Sequence, residues 1–303
     1  MEKKVLITGA AGFIGSAVVA DLLQQGYEIN VIDNLSFGKR ELVNIPNTQF
    51  HQFDIRDKKK LAECMKTIQP AWVIHLAAIH FIPYCNQHPV ETAEININGT
   101  INVCDAIRNV KSVKKYFLAS TAAVYPICNH AVDENVDPGP MDIYGISKLA
   151  AEYVSRDFYS TTGIETIICR FFNAFGPNET NPHLIPEIEK QLKDGRTTIQ
   201  LGNLEPKRDF IHTFDMARAV RMLMEKKFST LEVFNLGRGE EYSVREIVEA
   251  FERQSGKKIK IEQETSRMRK SERMHLLADI KKIMRVTGWK PEWSIDQGIK
   301  TLV

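Results

Sequence analysis

Val5-Leu-Ile-Thr8-Gly9-Ala-Ala-Gly12-Phe13-Ile14-Gly15 decides the fold. A short apolar run leads into three glycines at intervals of three, and a helical pattern follows from about Phe13 to Gln25, stopped by Gly26. Between a strand and a helix, glycines permit a tight turn, let the backbone approach a pyrophosphate, and allow close helix–strand packing. The helix N-terminus then offers free N–H groups and a partial positive charge to phosphates. A glycine-rich turn by itself is only a turn; in this position it reads as a dinucleotide site.

Outward from that turn, apolar runs alternate with helical patterns. Strand signals fall at Ile29–Asp33, Gln49–Asp54, Ala71–Ala78, Lys115–Ser120 and Thr166–Phe171. A long helix is expected from about Val90 to Arg108, and another around Tyr144. Strand–helix alternation at this spacing implies right-handed βαβ units and an α/β, doubly wound parallel sheet of Rossmann type. Beyond about Pro177 the pattern is less regular. Pro182, Pro186, Pro206 and Pro291 punctuate short elements there, which implies a smaller, mixed α/β C-terminal region. Ser243-Val-Arg-Glu246 before an apolar-periodic run is a capping box that opens a helix.

The chain has 303 residues, a formal net charge of +2 and 43% hydrophobic residues, which suits an enzyme with a sizeable core. The near-neutral balance speaks against nucleic acid or an anionic membrane as the main partner. No apolar run approaches the ~20 residues needed to span a bilayer, and the N-terminus enters a strand pattern without a cleavable hydrophobic segment. The five cysteines (64, 85, 104, 128 and 169) are odd in number, widely spaced and without a CxxC. They read as reduced thiols, mostly small core residues, rather than disulfides or a zinc site, and no metal is expected. The expected compartment is cytoplasmic.

Several further positions carry chemistry. Asp33 ends the second strand, where a carboxylate can accept both ribose hydroxyls and would repel a 2′-phosphate, favouring NAD over NADP. Lys39 and Arg40 nearby are either solvated loop charges or a phosphate clamp. Asp54 either contacts adenine or caps the helix beginning near Asp57. In Tyr144-Gly-Ile-Ser-Lys148 the phenol and the ammonium share one helical face, with Cβ atoms about 6 Å apart. At an effective dielectric of ~20 that charge is worth roughly 2.8 kcal/mol, or ~2 pKa units, enough to bring the tyrosine towards working pH as an acid/base. A lone pair of this kind would more often be an ordinary exposed Tyr and Lys. Its weight comes from the glycine-rich opening far upstream.

Gly9-x-x-Gly12-x-x-Gly15 with Tyr144-x-x-x-Lys148 resembles the extended short-chain dehydrogenase/reductase family, specifically its nucleotide-sugar epimerases and dehydratases. The likeness runs along the whole chain through Asp33-Asn-Leu-Ser-Phe-Gly38, Asp54-Ile-Arg-Asp57, His75-Leu-Ala-Ala78, Asn96-Ile-Asn-Gly-Thr100, Ser120-Thr-Ala-Ala-Val-Tyr125, Arg170-Phe-Phe-Asn173, Arg208-Asp-Phe-Ile-His212 and Ala278-Asp-Ile280. It implies a Rossmann-type domain holding NAD over residues 1–175, with chain crossings back from about 208–238. Residues 176–303 then predominantly hold the sugar nucleotide. By the same resemblance, Thr121 hydrogen-bonds the reacting sugar hydroxyl, Tyr144 removes its proton, and Lys148 binds the nicotinamide ribose and acidifies Tyr144. Gly9, Gly12, Phe13, Ile14, Gly15, Asp33, Asn34, Ser36, Gly38, Asp54 and Ile55 match cofactor positions, as do Leu76, Ala77, Ala78, His80, Asn96 and Phe172. Asn173, Arg208 and Arg269 match positions that hold the substrate pyrophosphate; two guanidinium forks and an amide make a sound diphosphate clamp. For Arg208 the plain alternative is a salt bridge with Asp209 or Glu205. At Arg269 the family's Arg-Pro-Gly-Glu reads Arg269-Lys-Ser-Glu272.

Members of the family that eliminate water usually carry Asp-Glu after the catalytic Thr, because removing the C5 proton and expelling a 6-hydroxyl needs an acid/base pair. Here those positions are Ala122 and Ala123. The motifs look most like the UDP-hexose 4-epimerases, whose cofactor is reduced and reoxidised in one cycle. The rival readings are a dehydratase with a displaced acid/base or a 4-keto-sugar reductase, in either case possibly on a GDP-sugar, and a non-catalytic NAD-binding protein. Four departures from the family pattern stand out: Pro126 in place of glycine, His183-Leu184-Ile-Pro186 beside the nucleotide base, the Leu201–Phe210 variant, and His80-Phe-Ile-Pro-Tyr84 near the nicotinamide. His80 is either a packed histidine or a further acid/base or sugar contact. Trp72 and His75 read as core. The Ile95/Ile97 and Tyr153/Phe158 sets lie on two helices that often form a homodimer interface in this family; burial within the monomer is the alternative.

Overall fold

The computed structural model describes residues 3–179, 181–264 and 273–303. Its strands are β1 (Lys4–Thr8), β2 (Glu28–Ile32), β3 (Phe50–His51), β4 (Trp72–His75), β5 (Lys115–Thr121) and β6 (Glu165–Phe171). They are followed by β7 (Asn173–Phe175), β8 (Thr198–Leu201), β9 (Lys207–His212), β10 (Glu232–Leu236), β11 (Glu241–Ser243) and β12 (Lys260–Gln263). Seven of them form one sheet in the order β10-β6-β5-β4-β1-β2-β3, with every pairing parallel. The expected α/β doubly wound sheet is therefore present. Strand order reverses between β1 and β4, and that is where ligands bind in such sheets.

The apolar runs are continuous because both faces of the sheet are covered. Val5, Ile7, Ile29, Val31, Ile74 and Phe117 share a core with the helices Phe13–Gln24 and Thr213–Glu225. Their neighbours Leu6, Ile32, Val73, Tyr116, Leu118 and Ile168 point the other way, onto the helices Lys58–Ile68, Gly99–Arg108 and Ile143–Thr162. A separate cluster around Phe175, Ile188, Phe210, Phe251 and Ile299 supports the smaller sheets, β11-β9-β7 and β12-β8. The capping box forms: Ser243 Oγ accepts from Glu246 N–H (3.2 Å) and Glu246 Oε2 accepts from Ser243 N–H (2.7 Å).

Several expectations change in detail. The strand expected over Gln49–Asp54 shrinks to Phe50–His51 at the sheet edge. The one expected over Ala71–Ala78 ends at His75, because Leu76–Ala78 peel away to follow the glycine turn; Leu76 N–H donates to Thr8 O at 3.0 Å. The long helix of 90–108 is interrupted by a π turn at Glu94–Asn98, between α segments Pro89–Ala93 and Gly99–Arg108. Phe158 is fully buried against Tyr116, with ring centroids 5.4 Å apart, so it belongs to the core rather than to a subunit interface. Tyr153, Ile146, Ile101 and Val90 are exposed on those helices instead. His75 is buried between Thr8 Oγ1 (2.7 Å) and Thr100 Oγ1 (3.1 Å), and Trp72 packs on Tyr27, as core residues should. All five cysteines are free thiols, three of them buried. Among the described residues, no helix is long and apolar enough to cross a membrane.

Candidate active site

At the carboxyl ends of the strands lies a cleft of about 1310 Å³. That exceeds the 300–1,000 Å³ typical of one drug-sized ligand, so there is room for a dinucleotide and a second nucleotide together. Gly9, at the end of β1, adopts φ +72°, and a Cβ there would sit 2.5 Å from Ala77 N. Only glycine allows the turn to pass so close to the Leu76–Ala78 wall. Beside it, Gly12, Phe13, Ile14 and Gly15 form the floor at the N-terminus of the first helix. This floor fits a dinucleotide pyrophosphate.

Asp33 is nearly buried, and its carboxylate accepts from Ala11 N–H (2.9 Å) and Leu35 N–H (2.8 Å). Burial raises its pKa, while these two bonds oppose the rise by favouring the anion. The carboxylate is thereby fixed at the cleft with lone pairs left for ribose hydroxyls. Arg40 is committed elsewhere: its guanidinium donates to Val43 O, Ile45 O and Asn47 Oδ1 and stacks over Phe50. It is a loop clamp, not a 2′-phosphate clamp. Asp54 accepts from Arg56 and, at 2.8 Å, from Asn34 Nδ2, while Asp57 caps the next helix. Asn34, Ser36, Gly38, Asp54 and Ile55 complete this end of the cleft.

Asn96, matched to a cofactor contact, lies fully buried behind the wall. It accepts from Ile79 N–H (2.8 Å) and donates to Ile79 O (2.9 Å) and Ser147 Oγ (3.0 Å). The π turn aims it there. Asn96 therefore ties the segment carrying Leu76, Ala77, Ala78 and His80 to the Tyr144 helix.

Asp142 Oδ1 caps that helix through Gly145 N–H (2.8 Å), and Gly145 itself passes so close to Ala123 that a Cβ would meet its carbonyl at 2.5 Å. The turn seats Tyr144 against Thr121 at the end of β5, within hydrogen-bonding reach. Tyr144, Thr121 and Lys148 all line the cleft. The electrostatics differ from the expectation drawn from helical spacing. Burial raises the Tyr144 phenol well above its ordinary value, with only the Thr121 hydrogen bond opposing it. Burial likewise lowers Lys148 to about 8, against the pull of Glu152. Desolvation penalises both charged forms and outweighs the pairwise attraction estimated from spacing alone.

On the opposite wall stand Phe172, Asn173, Leu184, His183 and Arg208. Arg208 Nη1 donates to Lys207 O (2.8 Å) and Arg273 O (2.7 Å). Its neighbour Asp209 turns inward to backbone N–H groups of Arg238, Gly239 and Ala278 and so does not pair with it. Arg269 lies outside the described residues. His80 is half-buried; desolvation and the Lys148 charge lower it to about 4, and its Nε2 accepts from Asn181 Nδ2 at 3.1 Å. His80, Glu179 and His183 bring possible metal-ligand atoms within 4.8 Å of one another, a cluster that no spacing in the sequence announces.

Residues 6–302 match the model of the family described as GDP-mannose 4,6 dehydratase. The chain belongs to that family. A Methanocaldococcus jannaschii protein, provisionally named a UDP-glucose 4-epimerase, is 34% identical over 99% of this chain and 97% of its own length. The UDP-glucuronate 4-epimerase of Thermodesulfobacterium geofontis is 30% identical over 98% of this chain and 94% of its own. Among solved structures, the Thermus thermophilus UDP-glucose 4-epimerase in complex with NAD superposes with a TM-score of 0.88 at 30% identity, covering 98% of this chain and 97% of that one.

Within this GDP-mannose 4,6 dehydratase family member, three groups at or behind the cleft escaped the sequence reading. Arg273 lines the cleft and donates to Tyr125 O (2.6 Å) and Pro126 O (3.2 Å), tying down the loop where proline replaces glycine. Glu179 faces the cleft beside His183. Glu152 and Arg170 form a buried ion pair behind Lys148. Only Glu152 had a legible signal, its place four residues after Lys148.

Proposed function

We propose that this chain is an NAD-dependent nucleotide-sugar 4-epimerase, with a UDP-hexose or UDP-N-acetylhexosamine as substrate. The observation that carries the reading is the floor beside Tyr144: Thr121 is followed by Ala122 and Ala123, which line the cleft as methyl groups and can neither remove a C5 proton nor protonate a leaving 6-hydroxyl. Epimerisation at C4 needs one acid/base and one hydride acceptor, and the site is furnished for that. NAD, when bound, supplies the reversible hydride acceptor. Asp33 and the Gly9–Gly15 turn support NAD in particular, and relatives solved with NAD support the same cofactor. Tyr144 takes the 4-hydroxyl proton and later returns it, and Thr121 holds that oxygen. Lys148 balances the charge that develops on the phenol. Arg208, with Asn173, holds the diphosphate while the 4-keto sugar turns over. Residues 1–175 with the returning 208–238 segment serve the cofactor, and 176–303 chiefly the nucleotide sugar. The exposed Val90, Ile101, Ile146 and Tyr153 support a homodimer through these two helices.

A second reading, a dehydratase with a displaced acid/base, is favoured by one observation. Glu179, His80 and His183 supply titratable groups on the opposite wall. Proton NMR of the protein in deuterium oxide with NAD and UDP-glucose, UDP-N-acetylglucosamine or GDP-mannose separates the two. The expected result is a 4-epimer with no deuterium in the ring. Loss of the 6-hydroxyl with deuterium at C5 would replace the epimerase reading by the dehydratase.

A further inference from the structure

Behind the candidate site lies an ion pair that the reaction outlined above does not use. Glu152 and Arg170 are 1% and 2% exposed. Glu152 Oε1 accepts from Arg170 Nε (2.9 Å) and from Ser120 Oγ (2.5 Å), and Oε2 accepts from Arg170 Nη2 (2.8 Å). Arg170 lies over the ring of Tyr125, 4.8 Å from its centroid, and Tyr125 donates to Asn235 Oδ1 (2.7 Å). Stability alone does not account for the pair, because apolar residues of similar volume commonly replace such pairs at no loss. Its position does. Ser120 precedes Thr121 at the end of β5, and Arg170 lies two residues before Phe172 at the end of β6. Glu152 is one helical turn beyond Lys148 and two beyond Tyr144. The carboxylate thus joins the three elements that carry the candidate chemistry.

We propose that Glu152 is a positioning residue: fixed by Arg170 and Ser120 in the dry interior one helical turn from Lys148, its carboxylate keeps Lys148 in the ammonium form, so that Tyr144 has a cation beside it when the proton moves. Tyr144 and Glu152 lie on the Lys148 helix, and the Lys148 charge reaches His75 at the end of β4 and His80 on the following wall. Burial and the Lys148 charge hold both imidazoles neutral, at about 3 and about 4, so neither supplies a counter-charge. The Tyr144 phenol is held protonated by burial. Glu152 is the group whose charge opposes the desolvation of Lys148. Arg170 in turn donates two charge-assisted hydrogen bonds to Glu152.

This inference rests on the roles given to Tyr144 and Lys148, and its first test does not require turnover. In the NAD-loaded protein labelled with ¹³Cε-lysine, the resonance missing from Lys148→Arg reports Lys148 ionisation. In Glu152→Gln its midpoint is expected to fall by about one pH unit or more relative to wild type, whereas Glu152→Asp should restore it to near the wild-type value. With an active substrate, the falling alkaline limb of the rate profile should move in step, giving about a tenfold loss at pH 8 that narrows towards pH 6. A purely structural role would lower the rate equally at every pH. Because Glu152→Gln leaves Arg170 buried without its partner, the Glu152→Gln/Arg170→Met double variant provides a second arm with no unpaired charge, and the same fall is expected there. An unmoved Lys148 midpoint in both variants would overturn the proposal. Failure of every tested sugar nucleotide to react with wild type would count against the epimerase reading and leave the NMR result standing.

Discussion

Replacing Tyr144 with phenylalanine is expected to reduce turnover ~10³-fold or more while NAD stays bound with little change. The phenol oxygen is the group placed against Thr121 in the cleft, and removing it deletes the acid/base while leaving the half-buried ring in place. The structure sharpens what kind of base this is. With its pKa raised by burial, the phenol is protonated at neutral pH in the ligand-free protein, so no phenolate absorbance should appear there. To act as the base, Tyr144 must therefore lose its proton to solvent in the loaded site, beside a charged Lys148 and a donating Thr121, before it takes the 4-hydroxyl proton as hydride leaves. Single-turnover measurements of NADH formation check the expectation, and a Tyr144→Phe variant with near-wild-type rate would show that another group is the base.

The second large effect belongs to Gly9→Ala. NAD affinity should fall ~100-fold or more, with a folded protein of lowered melting temperature. A side chain at φ +72° costs of order 1–3 kcal/mol, and the added Cβ would sit 2.5 Å from Ala77 N, so the turn or the wall must move. Both surfaces bound the cofactor end of the cleft. Equilibrium titration with NAD, alongside a melting curve, separates the two contributions; unchanged affinity would mean that the pyrophosphate lies elsewhere.

What could be read in the sequence, and what could not, follows from which interactions are local. Val5–Thr8, the glycine turn and the alternation of strands and helices are encoded in contiguous residues, and the sheet order follows from them. The position of the Tyr144 helix and its partner Thr121 was equally legible, because Thr121 ends β5 and Tyr144 opens the long helix that follows in the alternation. The electrostatic environment was not. Helical spacing gives a distance between Tyr144 and Lys148, but their desolvation is set by strands and loops far away in the chain. The π turn at Glu94–Asn98 was hidden for the same reason: what holds it is a pair of hydrogen bonds between Asn96 and Ile79, and another to Ser147. Arg40 shows the converse case. Its charge beside the cofactor end invited a functional reading, and three oxygen atoms within seven residues of it supplied the answer.

The outermost strand of the main sheet, β10, is contributed by residues 232–236, and the helix Thr213–Glu225 lies on the helix Phe13–Gln24, where Arg221 pairs with Asp21 at 2.7 Å. The chain has therefore gone out to build the smaller sheets and come back before the first half is finished. A fragment ending near residue 175 would leave β6 as an open edge and the first helix with its apolar side in water, inviting self-association. The two ligand sites cannot be shuffled as independent cassettes. A ribosome releasing this chain must deliver almost all of it before the cofactor fold can close.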